Sequence, residues 1–323
     1  MSAADKVLVT GGAGFIGSHV CAALRCAGRP VVVLDDFSTG NRGNLAGLDV
    51  ELVEGSITDA AAVAEAMRGV GKVVHLAALP SVARSLKQPL DSHHACATGT
   101  ATVLHQAATQ HARVVYAGSS SAYGNQEVLA KHEGLREEPL SPYAAAKLAG
   151  ELYCRAFARV YGLDVVVTRF FNVFGPRQPA DSPYSGVIAA FCRAILLGKA
   201  VRIDGDGGQG RDFTYVEDVV DGVLRCLDAD SHGCVTVNLA YGQSTTVREL
   251  YDQLLALAAG SLDVSRQPPP EHAPPRNGDV RHSLADVSLA KSRFGFAPRV
   301  GFAEGLRRTF DWYRSHSGRS TDK

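Results

Sequence analysis

Short apolar runs alternate along the first half of the chain with longer stretches whose apolar positions recur at helical spacing. Lys6 to Thr10, Val31 to Leu34, Val50 to Glu54, Lys72 to Ala78 and Asp164 to Phe170 read as strands. Between them, Ser18 to Ala27 before Gly28, the alanine-rich Ala60 to Met67, and a stretch opened near Asp91 by His93 and His94 read as helices. Ser141 to about Tyr161 is a further helix, with Ser141 as N-cap, Pro142 at the first position and Gly162 as its stop. The alternation predicts an α/β protein with a doubly wound parallel sheet.

After Phe170 the rhythm breaks. Gly186 to Leu197 and Val216 to Leu227 read as helices, Ala200 to Ile203 as a strand, and Val235 to Ala240 as a strand apt to rejoin the sheet. Thr246 to Ala259 and the segments from about Asp286 and Phe302 are helical. A smaller C-terminal α/β substrate domain is therefore expected, discontinuous in sequence: 1–172 plus about 213–258 for the large domain, and about 173–212 plus 259–316 for the small one. Gln267 to Arg276 is too proline-rich for a helix or sheet interior, and the polar tail 317–323 is expected to be disordered.

Composition adds exclusions. The 323 residues carry 33 Lys+Arg against 33 Asp+Glu, which gives no reason to expect nucleic acid or an anionic membrane as partner. Seven scattered cysteines, odd in number and without a paired spacing, fit free thiols in a reducing compartment. The chain runs at once into a strand, and no apolar run could span a bilayer, so a cytoplasmic protein is expected. His93 and His94 lack any partner at metal-ligand spacing, so no metal is expected.

The candidate chemistry begins at Gly11, Gly14 and Gly17, with Phe15 and Ile16 between the last two, placed between a strand and a helix. Such a turn brings backbone N–H groups and a positive helix end against a pyrophosphate, the mark of a Rossmann-type sheet. Asp35 ends the second strand where an acid accepts from an adenosine ribose and repels a 2′-phosphate, favouring NAD over NADP. Leu76, Ala77 and Ala78 are small enough at a strand end to pass the cofactor. Ser38, Gly40, Ser56, Ile57 and Phe171 are further candidates for cofactor contacts.

Tyr143 and Lys147, four apart, share a helix face, where the ammonium and the positive helix end favour an ionised phenol. Ser119 and Ser120, arriving from a strand end, can share a substrate oxygen with that base. Arg211 among glycines suits an anionic oxygen, while Arg276 and Asp279 in one loop offer a cation for phosphate and an acceptor for sugar hydroxyls. Val187, Arg202 and Asp204 complete the substrate candidates.

Together, the glycine turn, Asp35-Asp36, His75 to Ala78, serines 119–121, Ser141 to Tyr143 with Lys147, Arg169 to Gly175, Gly210 to Phe213 and Gly278 to Ser283 resemble the extended short-chain dehydrogenase/reductases. Within them the chain resembles NAD-dependent nucleotide-sugar epimerases, most of all the UDP-N-acetylglucosamine 4-epimerases, from Lys6 to about Tyr313. The resemblance implies a tightly bound NAD, regenerated in each turnover, and a UDP-sugar substrate. Tyr143 would take the proton of the sugar 4-hydroxyl as hydride leaves C4; the 4-keto sugar then turns its other face and is reduced with inversion. Ser119, counted back from Tyr123, would bind the 4-oxygen with Ser120 assisting.

The resemblance further places Asn172, Arg211 and Arg276 at the diphosphate, Asp279 at the uridine ribose and Ser81 at the sugar. Ser283 stands where a small residue leaves room for an N-acetyl group. Relatives commonly form homodimers through the helices beginning near Asp91 and Ser141. Two departures stand out, Ser56 for an aspartate and Cys96 for an asparagine. Dehydratases and decarboxylases of this kind need acids where Ser120, Ser121 and Ala122 stand. A plain or uronic UDP-hexose remains an alternative substrate, and a dinucleotide sensor would have dispensed with Tyr143 or Lys147.

Overall fold

Runs of valine and leucine between turn residues make the strands of the large sheet. In the computed structural model, which describes residues 5–182, 185–275 and 280–316, the chain opens with β1 (Val7–Thr10), α1 (Phe15–Cys26), β2 (Val31–Asp35), β3 (Glu51–Glu54), α2 (Ala60–Ala66) and β4 (Lys72–His75). Next come α3 (Val82–Lys87), α4 (Pro89–His93), α5 (Gly99–Thr109), β5 (Arg113–Ser119), β6 (Ala130–Lys131), α6 (Pro142–Tyr161), β7 (Val165–Phe170) and β8 (Val173–Phe174). After them α7 (Val187–Leu196), β9 (Arg202–Asp204), β10 (Gly210–Asp212), β11 (Thr214–Tyr215), α8 (Val216–Asp228) and β12 (Cys234–Leu239) follow. The chain ends with β13 (Ser244–Thr246), α9 (Val247–Ala259), β14 (Glu271–Ala273), β15 (His282–Ala285), α10 (Ser288–Phe294) and α11 (Phe302–His316).

Seven parallel strands form one sheet in the order β12-β7-β5-β4-β1-β2-β3. Successive strand residues face opposite sides. Leu8, Val32, Val73, Val114 and Val165 pack under α2, α5 and α6, whereas Val7, Val9, Val33, Val115 and Val166 pack under α1 and α8. Burying each such side chain contributes about 1.5–3 kcal/mol, and a one-residue slip of register would turn every one of them to the wrong face.

The helix expected to open at His93 and His94 begins earlier, at Pro89, and those histidines sit where α4 passes into a π-helical stretch, His94–Thr98, that continues as α5. Helix α6 has the predicted limits: the Ser141 hydroxyl accepts from Ala144 N at 3.2 Å, Pro142 is the first residue and Gly162 stops the helix at φ +68°. Helix α9, expected in the dinucleotide half, packs instead on α7 and α11. Its apolar face meets those helices rather than the sheet. The proline-rich segment carries β14 on β9, a two-stranded pair in which each proline keeps clear of a sheet interior. All seven cysteines are free, and only Cys26, at the end of α1, is exposed.

A second sheet, β13-β10-β15-β6, stands beside the carboxyl ends of the first. Asn238 on β12 joins the two: its Oδ1 accepts from the Tyr123 hydroxyl at 2.7 Å, its Nδ2 donates to Lys131 O and Asp286 O, and its backbone N donates to Glu133 Oε1 at 2.7 Å. Every polar group of this buried side chain is thereby used.

At the centre of the sheet the strand order reverses between β1 and β4, where ligands of such sheets bind. His75 clamps that point. Thr100 Oγ1 donates to Cys96 O at 2.7 Å, so it accepts from His75 Nε2–H at 3.0 Å, and Nδ1 accepts from Thr10 Oγ1 at 2.7 Å. Burial, with the Lys147 charge adding to it, pushes the imidazole down to about 3. The unfolded chain therefore takes up a proton below its ordinary value of 6.5 that the native state refuses. The clamp is expected to cost about 2 kcal/mol of stability between neutral pH and pH 5. Urea unfolding at both pH values, with the His75 ring followed by NMR, checks this; a ring that protonates in place at pH 5 would refute it.

Candidate active site

Gly11 follows β1 at φ +70°, and a Cβ there would lie 2.9 Å from the Ala77 Cα just past β4. A Cβ on Gly17 would lie 2.1 Å from Gly11 O, so only glycine lets α1 start this close to the turn. The N-cap, Gly14, offers no side chain to the first N–H groups of α1, which remain open to a ligand.

These residues head a cleft of about 960 Å³. Gly11, Gly14, Phe15, Ile16 and Gly17 line one end with Asp35 and Ser38, Ser56 and Ile57 line its side, and Leu76, Ala77 and Ala78 line the strand end. Lys147, Phe171 and Val187 continue the wall. Asp35 takes the Ala13 N–H at 2.8 Å and the Phe37 N–H at 2.9 Å, which fixes its carboxylate on the wall. Burial raises its pKa, against the two backbone bonds. Gly40 is not on the wall; it lies behind Asp35, where a Cβ would come within 2.8 Å of Oδ1. Ser56 turns its hydroxyl to Thr58 Oγ1 at 2.9 Å, and Cys96 is buried in the π-helical stretch. A glycine cradle, an open helix start and one acid at the end of β2 fit the pyrophosphate and unphosphorylated ribose of NAD.

The candidate reacting centre, Ser119 with Tyr143, stands at the far end. Ser119 leaves β5 and caps a short turn, Ser120–Tyr123, accepting from Ser121 N at 3.2 Å and sharing a hydrogen bond with the Ser121 hydroxyl at 2.8 Å. The Tyr143 hydroxyl, in the first turn of α6, is hydrogen-bonded to Ser119. The expected lowering by Lys147 is not what governs this phenol. Burial raises its pKa well above the ordinary value, and the bond to Ser119 opposes the rise. Lys147 sits 4.4 Å over the Tyr116 ring, whose hydroxyl donates to Lys147 O at 3.1 Å, and burial lowers the ammonium's pKa.

Glu151, one turn beyond Lys147, accepts from Arg169 Nε at 3.2 and 3.1 Å and from Nη2 at 2.7 Å. Both side chains are fully buried. Gly118 makes the space, since a Cβ there would lie 2.8 Å from Glu151 Oε1. Arg169 Nη2 also donates to Glu137 Oε1 at 2.7 Å, and its guanidinium lies 4.5 Å over the Tyr123 ring. The pair thus ties α6 to β7 and to the serine turn. Sequence reasoning missed Glu151, although its place on the Tyr143–Lys147 face, opposite an arginine in an otherwise apolar strand, was the available signal.

A second cavity of about 320 Å³ adjoins the first. Ser81, Ser119, Tyr143 and Asn172 line both, so the two open onto each other across Tyr143. Ser120, Arg211 and Ser283 line the second alone, Arg211 and Ser283 being register partners on β10 and β15. Arg202 and Asp204 line neither; they bond to each other at 3.1 Å on β9. Arg276 and Asp279 lie outside the described residues, as does the tail from 317. Lys131, also on the second cavity, was not anticipated; its sequence context reads as an ordinary loop.

The sequence pattern of the NAD dependent epimerase/dehydratase family matches residues 7–240. UDP-glucose 4-epimerase of Mycolicibacterium smegmatis is 37% identical over 97% of this chain and 99% of its own length. UDP-glucose 4-epimerase of Thermotoga maritima, solved with UDP-glucose, superposes with a TM-score of 0.90 at 35% identity, covering 97% of this chain and 99% of that one. UDP-N-acetylglucosamine 4-epimerase of Methanobrevibacter ruminantium, solved with UDP-N-acetylmuramic acid, gives 0.89 at 34% identity with the same coverage.

Proposed function

We propose, since the chain belongs to the NAD dependent epimerase/dehydratase family, that it interconverts the C4 epimers of a UDP-hexose, with UDP-GlcNAc and UDP-GalNAc as the pair it accommodates. One observation carries this reading: the dinucleotide cleft and the smaller cavity meet at a wall made by Ser119 and Tyr143. A sugar in the smaller cavity presents its 4-hydroxyl to that wall. Tyr143 takes the proton, and Ser119 holds the same oxygen. Gly11, Gly14, Gly17 and Asp35 would hold NAD in the adjoining cleft, where it would supply a hydride acceptor for C4 and the donor for the return to the other face of the turned 4-keto sugar.

Ser120 and Ser121 bring no carboxyl group to the sugar, so nothing beside the wall moves protons for elimination. Asn172 and Arg211 line the cavity, and the resemblance assigns them, with Arg276 and Asp279, to the diphosphate and ribose end of the substrate. Ser283, 8% exposed on the cavity wall, is the basis for the N-acetylated sugar. UDP-glucose and UDP-galactose form the second reading, supported by the names of the Mycolicibacterium and Thermotoga relatives.

Helix α6 carries an apolar outer strip, Leu152, Tyr153 and Val160 being exposed, which supports a homodimer through that face. No described helix is long and apolar enough to cross a membrane. A cytoplasmic enzyme accords with the seven free thiols.

Purified protein given UDP-GlcNAc without added NAD is expected to form UDP-GalNAc, read by chromatography. Failure with UDP-GlcNAc, UDP-glucose and their uronic acids alike would sink the assignment. Ser283→Tyr is expected to lower UDP-GlcNAc turnover at least about tenfold relative to UDP-glucose. An unchanged ratio would remove Ser283 as the determinant.

A further inference from the structure

No acid answers the ammonium of Lys147. The residue is 3% exposed and lines the dinucleotide cleft, yet its Nζ makes no hydrogen bond or ion pair with a described residue. Glu151, one turn further along α6, is spent on Arg169 of β7. His75 on β4 is neutral, with Thr10 and Thr100 on its two ring nitrogens. Cys96 in the π-helical stretch and Cys154 on α6 are buried cysteines, and Tyr143 is a phenol whose pKa burial raises. What the fold sets against the charge is an aromatic face: Nζ lies 4.4 Å from the centre of the Tyr116 ring on β5.

Several features fix that ring. Tyr116 is fully buried, and the His75 ring packs against it with centroids 5.5 Å apart. Gly150, in the turn of α6 after Lys147, makes room for its tip, since a Cβ there would lie 2.8 Å from Tyr116 Cζ. The Tyr116 hydroxyl donates to Lys147 O at 3.1 Å, so one side chain meets both the backbone and the ammonium of the same lysine. Burial raises this phenol's pKa well above its ordinary value, which keeps it a donor without charge. Burial also drives an ammonium toward its neutral form, whereas an aromatic face attracts the cation, most where water is excluded.

We propose that Tyr116 is a positioning residue of the reaction, its ring face and its hydroxyl together holding Lys147 charged and in place on the cleft wall that Lys147 shares with Tyr143. This rests on the epimerisation proposed above and deepens it. Tyr116 lines neither cavity and acts only through Lys147. A charged Lys147 presents three N–H donors and a positive charge to the wall where the Tyr143 phenol is to ionise. A neutral one loses the charge and a donor.

The test follows Lys147 through its titration by NMR of isotope-labelled lysine, with Lys147→Met giving the assignment. It compares wild type, Tyr116→Phe, Tyr116→Leu and a chain carrying trifluorophenylalanine in place of Tyr116. Fluorine strips the ring face of its negative potential and keeps the ring's shape, so this chain serves even where Tyr116→Leu fails to fold. Proton affinity at Lys147 is expected to fall about 3–30-fold with trifluorophenylalanine and with leucine, and to stay near that of wild type in Tyr116→Phe. The decline of kcat on a UDP-hexose at high pH is expected to begin at lower pH in the same two variants. An unchanged titration with trifluorophenylalanine would reduce Tyr116 to core filling and overturn the proposal. An equal fall in Tyr116→Phe would credit the hydroxyl alone, and a shifted titration with an unmoved pH profile would leave the charge without a part in turnover; either result refutes it. If wild type epimerises no UDP-hexose, the reaction assigned above falls, while the titration of the free protein still decides whether the ring holds the charge.

Discussion

Replacing Tyr143 with phenylalanine is expected to lower kcat on a UDP-hexose by about 10²–10⁴-fold, the range for losing a positioned general base, with fold and nucleotide retained. The ring of Tyr143 packs in the first turn of α6 and stays in place in the variant; only the hydroxyl bonded to Ser119 is lost. Because burial raises the phenol's pKa, the base is scarce at neutral pH in the free protein. The bond to Ser119 acts in the opposite sense, and a bound NAD would add a positive nicotinamide that does the same. With Tyr143 in the proposed role of base, the active form is the ionised one, so wild-type kcat is expected to rise with pH until the phenol has titrated, and the variant's residual rate to lack that limb. Measuring kcat against pH together with NAD released on denaturation separates chemistry from binding. Undiminished turnover in Tyr143→Phe would remove the tyrosine from the reaction.

The largest loss of stability is expected from Glu151→Ala, about 3–5 kcal/mol, the range for breaking a buried ion pair on one side. Arg169 would be left fully buried on the sheet with only Glu137, at the edge of the network, to answer its charge. The double variant Glu151→Leu with Arg169→Met removes both charges at similar volume and is expected to recover most of the loss. Denaturant unfolding of the three proteins gives the comparison. A single variant within about 1 kcal/mol of wild type would show that water reaches the guanidinium. Because the pair ties α6 to the turn holding Ser119, the double variant is also expected to lose activity out of proportion to its stability.

What could be read from the sequence was what neighbours in sequence decide. The turn at Gly11 to Gly17 needs only its strand and helix, and α6 announces itself through Ser141, Pro142 and Gly162. Asp35 follows from its place at a strand end. The second sheet was illegible because its strands are two to four residues long and pair across the chain, as Lys131 does with Ala285. Propensity says little about segments that short. The π-helical stretch at His94 has the same apolar spacing as a plain helix start. Arg202 and Asp204 have the chemistry of ligand contacts, but neighbours on one strand, they are drawn to each other.

The bonds of Asn238 tie an early part of the chain, Tyr123 and Lys131, to strands that are made late. A nascent chain that has emerged through α6 carries the glycine turn, Ser119, Tyr143 and Lys147. Tyr123 and the β6 strand gain their anchor only when β12 docks, and β6 gains its pairing partner only when β15 arrives. During synthesis, the glycine turn and the Tyr143 helix leave the ribosome before the strands that anchor the second sheet.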